Sequence, residues 1–61
     1  MTSTTEQMIQ CVKREIVMRE RVYQRWVESG KMKQPQADRE IETMRDVLAV
    51  LQAKAEAERL I

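Results

Sequence analysis

Histidine is missing from this chain, and cysteine, glycine, proline, tryptophan and tyrosine each occur once in its 61 residues. A single cysteine, Cys11, excludes a disulfide within the chain, and without histidine it cannot complete a zinc tetrad. No metal site and no cofactor are expected. Catalysis finds no footing either. There is no nucleophile paired with a base, no glycine-rich phosphate loop and no cluster of metal ligands, so the chain reads as a non-enzyme with no catalytic residues. No apolar run approaches the length of a membrane span, and no signal peptide is visible. The opening Met-Thr-Ser-Thr-Thr-Glu reads as a cytoplasmic N-terminus, and a free Cys11 fits a reducing compartment. A net charge of +1 excludes a strongly basic nucleic-acid arm or an acidic tail.

What is present is a pair of apolar stripes. Ala37, Ile41, Met44, Leu48, Leu51 and Ala55 recur at steps of four and three, the spacing that lines up side chains along a helix. Ile9, Val12, Ile16, Arg19, Tyr23 and Trp26 do the same earlier in the chain. Gly30 suits the left-handed position just past a helix end, and Pro35 suits the first turn of the next helix. The expected architecture is all-α: one domain over 1–61, with helix one over about 4–29, a loop over about 30–34 and helix two over about 35–60. Two N-terminal capping boxes fit equally well, Ser3 with Glu6 or Thr4 with Gln7. Asp38 and Glu40 put negative charge near the start of helix two. Antiparallel pairing about the loop sets Val27 near Ala37, Tyr23 near Ile41, Ile16 near Leu48, Val12 near Leu51 and Ile9 near Ala55. Tyr23 and Trp26 are expected to anchor the loop-end core.

The two halves differ in charge. Residues 1–33 carry seven basic and four acidic side chains, and residues 34–61 carry four basic and six acidic ones. Attraction between a basic first helix and an acidic second one is expected to favour their pairing.

A two-helix hairpin has one seam and little interior. Small domains of this kind reach stability through disulfides, metals or oligomerisation. With the first two excluded, the expected form is a homodimer, a four-helix bundle. Val47 and Val50 widen the apolar surface of helix two beyond one seam; Ala57 and Ile61 continue that edge, and Met18 and Cys11 do the same on helix one. Val47, Val50, Leu51 and Met18 are therefore the candidate dimer interface. Arg19 interrupts the apolar line of helix one. It either snorkels outward with its stem on Tyr23 or Trp26, makes a buried polar contact with Glu15 or Glu40 that fixes the dimer register, or holds an acidic partner. Arg14, Arg21 and Arg25 align on the outer face of helix one. Such a stripe reads first as a solvated face, since DNA binding by it would call for more positive charge and a helix-turn-helix or ribbon geometry.

The stretch from Glu15 to Met32 is distinctive, above all Arg21-Val22-Tyr23-Gln24-Arg25-Trp26-Val27 followed by Gly30-Lys31-Met32. So is Ala37-Asp38-Arg39-Glu40-Ile41-Glu42-Thr43-Met44 after the loop. Together they resemble a family of small helical-hairpin proteins encoded by bacteriophages and prophages of proteobacteria, over about residues 9–51. Gln24 stands where family sequences often carry proline. The chain is similar to phage anti-quorum-sensing proteins, hairpins that dimerise and block a host transcriptional activator. The resemblance implies a noncatalytic protein that acts in the cytoplasm of the host bacterium and inhibits or modulates a host protein such as a transcription regulator, with Arg19, Tyr23, Arg25 and Trp26 as partner-binding candidates. The same residues serve equally well as core. A nucleic-acid-associated phage protein using Arg14, Arg21, Arg25, Lys31 and Lys33 is the alternative, and a structural subunit of a phage assembly is another.

Overall fold

A computed structural model of the chain describes residues 2–60. They form two α-helices and no strand: α1, Thr5–Glu28, and α2, Gln34–Arg59. The short connection folds α2 back along α1, giving a rod of 48 × 18 × 16 Å. Ile61, placed by the sequence on the outer edge of the second helix, lies outside the described residues.

Of the two possible capping boxes the chain uses Thr4 with Gln7. The Gln7 backbone N–H donates to Thr4 Oγ1 at 3.1 Å, and the Thr4 N–H donates to Gln7 Oε1 at 2.9 Å, so two otherwise orphaned donors are satisfied. Glu6, the acid of the other box, instead accepts from Gln10 Nε2 at 3.0 Å. At the far end the Lys31 N–H donates to the Trp26 carbonyl at 2.8 Å and the Gly30 N–H to the Val27 carbonyl at 3.2 Å. This is a Schellman motif, and it requires a left-handed residue just past the cap. Gly30 supplies it, with φ of +82°. Pro35 sits in the first turn of α2, where its missing N–H is no loss. Because α2 starts at Gln34, Asp38 and Glu40 fall beyond that first turn, where the helix dipole is weak.

The seam runs along Thr5, Ile9, Val12, Ile16, Arg19, Tyr23 and Val27 of α1 and along Ala37, Ile41, Met44, Leu48, Leu51 and Ala55 of α2, all buried or half-buried. Among the described residues the deep apolar core is only Ile9, Ile16 and Ala37, at 5 %, 6 % and 4 % exposure. Two positions depart from the sequence reading. Thr5 is buried at the open end of the seam. Trp26 is not a loop-end core residue: it is 42 % exposed, and Val27 takes its place. The reason is helical drift. A stripe of period 3.5 slips by about 20° per heptad against a 3.6-residue turn. By the third heptad the four-residue step from Tyr23 aims at α2, while the three-residue step swings aside. Trp26 keeps contact with the tyrosine nonetheless, their ring centroids 5.8 Å apart and tilted by 37°.

The charge difference between the helices is not expressed as a ladder of ion pairs. Among the described residues the one interhelical pair is Arg45 with Glu20, at 3.3 Å, with both side chains about half exposed. Its sense is the reverse of the expected one, the acid coming from the basic half and the base from the acidic half. A pair so exposed contributes about 0–1 kcal/mol. Its use is geometric, since it marks the register: Glu20 lies level with Arg45, and hence Met18 level with Val47.

Candidate protein-interaction surface

Each residue of an α-helix turns by about 100°, so positions flanking the seam sort onto the two sides of the hairpin. On one side lie Met8, Cys11, Met18, Val22 and Trp26 of α1, with Val47 and Val50 of α2. This side carries the exposed apolar residues, with Met18 57 % exposed, Val47 43 % and Val50 69 %, and among them Glu15, Glu40, Thr43 and Lys54. The opposite side is polar. There Glu20, Gln24 and Glu28 of α1 face Gln34, Asp38, Glu42 and Arg45 of α2 across an open groove of about 570 Å³. The floor of the groove is apolar, made by Tyr23, Val27, Ala37 and Ile41.

The candidate residues divide between these places. Of the dimer candidates, Met18, Val47 and Val50 share the apolar side. Leu51 is half-buried in the seam within the chain. Of the partner-binding candidates, Tyr23 lines the groove. Arg25 and Trp26 lie on the apolar side at the loop end, where with Val22, Ser29 and Lys31 they line a shallow recess of about 540 Å³. Trp26 is fixed there from behind: its carbonyl accepts the Lys31 and Met32 N–H groups and the Ser29 hydroxyl.

Arg19 lies in the seam between the two sides. Its guanidinium pairs with the Glu15 carboxylate one turn back and also reaches the Glu15 carbonyl at 3.5 Å. The Glu15 hydrogen bond and charge push the Arg19 pKa above its ordinary value, with partial desolvation pulling the other way. Both side chains remain partly in water, at 37 % and 42 % exposure. Of the readings offered for Arg19, the geometry is an outward-reaching side chain paired with Glu15 of its own helix, and the pair is partly exposed rather than buried. Glu40, the other suggested partner, is exposed on α2.

The acidic rim escaped the sequence reading. Its signal was available in the four-residue spacing of 20, 24 and 28 and of 34, 38 and 42, but neither run is acidic throughout. The two runs become one feature only when the hairpin sets them on the same side. Among the described residues no three cysteine, aspartate or glutamate side chains gather as a metal site, and no helix is long and apolar enough to cross a membrane. No protein-family model, curated protein or solved structure matches the chain.

Proposed function

We propose that this chain is a noncatalytic, phage-encoded protein of the host bacterial cytoplasm that pairs with a second copy as a four-helix bundle and binds and modulates a host protein, such as a transcription regulator. The observation that carries the reading is surplus surface. A folded monomer of 7.2 kDa with ordinary compactness exposes about 4,100 Å². This chain exposes 5038 Å², about 900 Å² beyond that expectation. One partner's share of a standard protein interface is about 800 Å². The surplus therefore equals the surface that one interface removes from water, and the exposed Met18, Val47 and Val50 supply an apolar patch for it.

Host binding is assigned to the loop end. There the recess of Arg25 and Trp26 offers the two residue types that most often dominate binding energy at protein interfaces. The mechanism is occlusion, in which a rigid helical end covers a surface that the host protein needs for its own target. The test is affinity capture from host lysate with the wild-type chain, Arg25→Glu and Trp26→Ala, with circular dichroism on each. One protein captured in near-stoichiometric amount by the wild type, and lost from both folded variants, supports the reading. No specific protein captured by the wild type, or full capture by both variants, refutes it.

A further inference from the structure

The polar side of the hairpin carries more than solvated charge. Four carboxylates, those of Glu20, Glu28, Asp38 and Glu42, line the groove against one cation, Arg45, whose guanidinium is already engaged by Glu20 at 3.3 Å. The lining is thus strongly negative on a chain whose net charge is +1. The other polar contacts of the rim come from neutral amides: Gln24 Nε2 reaches Glu28 at 3.5 Å, and Gln34 Nε2 reaches Asp38 at 2.8 Å. Between these rims the floor of Tyr23, Val27, Ala37 and Ile41 is apolar.

We infer that this groove seats a basic amphipathic helix of the partner protein, with its apolar stripe on the floor and lysine or arginine along both flanks. The inference rests on the host-binding reading above for the existence of a partner and adds a second contact, since the groove lies on the side opposite the Arg25 and Trp26 recess. Two packed helices leave a furrow in which a third rests at about 8–10 Å between axes. The furrow has no free backbone edge, so a helix rather than an added strand fits it. Residues 20–28 rise by about 12 Å, the length of two helical turns. The docked segment therefore places two apolar anchors one turn apart, one over Tyr23 and Ile41 and the next over Val27 and Ala37. The α1 rim and the α2 rim are both acidic, so the charge match is two-sided. A helix with acidic flanks is repelled from both edges.

The probe is a blocked Leu/Lys amphipathic peptide of about 14 residues, roughly 21 Å as a helix, beside its Leu/Glu counterpart. Binding to the full chain is followed by calorimetry and by backbone amide shift mapping. The Leu/Lys peptide is expected to bind, to shift residues 20–28 and 34–45, and to weaken as salt rises. Asp38→Asn with Glu42→Gln removes two rim charges outside the seam and is expected to weaken binding about five- to tenfold. Asp46→Asn with Glu58→Gln, the same change in charge away from the groove, is expected to cost less than about twofold. No Leu/Lys binding at about 1 mM, a free energy near −4 kcal/mol, overturns the inference. So do equal binding of the Leu/Glu peptide, shifts on the Met18 side, or equal losses in the two double variants. The lysate capture separates this inference from the reading beneath it. A host protein held equally well by Asp38→Asn/Glu42→Gln sinks the groove and leaves the host-binding reading standing. Peptide binding with no host protein captured does the opposite.

Discussion

Replacing Met18 and Val47 together by serine tests the dimer directly. The two residues lie level on the apolar side, 57 % and 43 % exposed. About half of each side chain is therefore already in water in the single chain, and polar replacements there are expected to cost its own stability up to about 0.75–1.5 kcal/mol per site, for the half packed within the hairpin. A dimer closed on this side buries that exposed half. Full burial of such side chains contributes about 1.5–3 kcal/mol each, so half contributes about 0.75–1.5 kcal/mol. Each dimer contains four of them, so the double substitution removes about 3–6 kcal/mol and raises the dissociation constant by about 10²- to 10⁴-fold. Sedimentation velocity from about 1 to about 500 µM brackets the dissociation constants of ordinary dimers. Thermal melts over the same range add a second readout, because a dimer's melting temperature rises with concentration. The expected result is a wild-type dimer with concentration-dependent melting and a variant shifted to a folded monomer at equal helicity. A wild-type chain that sediments as one copy throughout and melts independently of concentration refutes the argument from surplus surface. A variant that dimerises as well as the wild type refutes the choice of side.

Gly30 has positive φ and open space where a β-carbon would sit, so Gly30→Ala is expected to cost the backbone penalty alone, about 1–2 kcal/mol in urea unfolding. Synthetic D-alanine at the same position is expected to stabilise by about 0.4–1 kcal/mol, and equal stability of the two would remove the left-handed cap from the account. Thr4→Ala removes the Oγ1 acceptor of the Gln7 N–H while keeping the backbone donor to Gln7 Oε1, and is expected to cost about 1 kcal/mol, with amide exchange accelerating in the first turn of α1. Arg19→Met exchanges a half-exposed ion pair for an apolar stem in the seam and is expected to change stability by less than about 1 kcal/mol in either direction; a loss of 3 kcal/mol or more would mark the pair as desolvated in the assembly. The raised pKa of Arg19 makes its contribution complete below the ordinary arginine range and lost only above it. With no histidine in the chain, urea unfolding is expected to stay flat, within about 0.5 kcal/mol, from about pH 6 to about pH 8.

The hairpin was legible because its signals are local. Gly30 and Pro35 are each the one residue of their kind, and they flank the single break between two periodic stripes. All six positions read as the stripe of helix two lie in the seam; at only one step, from Met44 to Val47 or Leu48, did two apolar candidates compete. Helix one was harder where two candidates competed. Trp26 and Val27 differ by one residue, hydrophobicity favours the tryptophan, and only the accumulated drift of the stripe turns the valine inward. Thr5 was missed for the converse reason: a threonine in the first turn carries no apolar signal, yet the antiparallel return of α2 covers it. The surfaces were less legible than the seam. Met18, Val47 and Val50 were visible as surplus apolar residues, whereas their sharing one side depends on the register of two helices. The acidic groove was hidden by averaging, because a net charge of +1 conceals a side where carboxylates outnumber cations.

The two proposed uses of the surface fit together only in one arrangement, and charge selects it. In a four-helix bundle each hairpin forms one layer, with one side covered by the other hairpin and one side in water. Closing the dimer on the polar side would bring the rims of Glu20, Glu28, Asp38 and Glu42 from both copies together, with one arginine per copy to offset them. Like charges so arranged oppose association, and removing them from water adds a desolvation cost of several kcal/mol per unpaired ion. It would also leave Met18, Val47 and Val50 exposed, forfeiting the apolar burial that motivates a dimer at all. Closing on the apolar side reverses both effects. The four groove carboxylates stay hydrated, the groove stays open, and the Met18–Val47 level near the middle of the rod becomes the centre of contact, with Glu15 and Glu40 on the closed side. The loop end then carries the acidic groove on the solvent side and the Trp26 recess at the margin of the dimer, with Tyr23 packed against Trp26 between them. In that proposed arrangement one end of the molecule is left for a partner and its middle for a second copy.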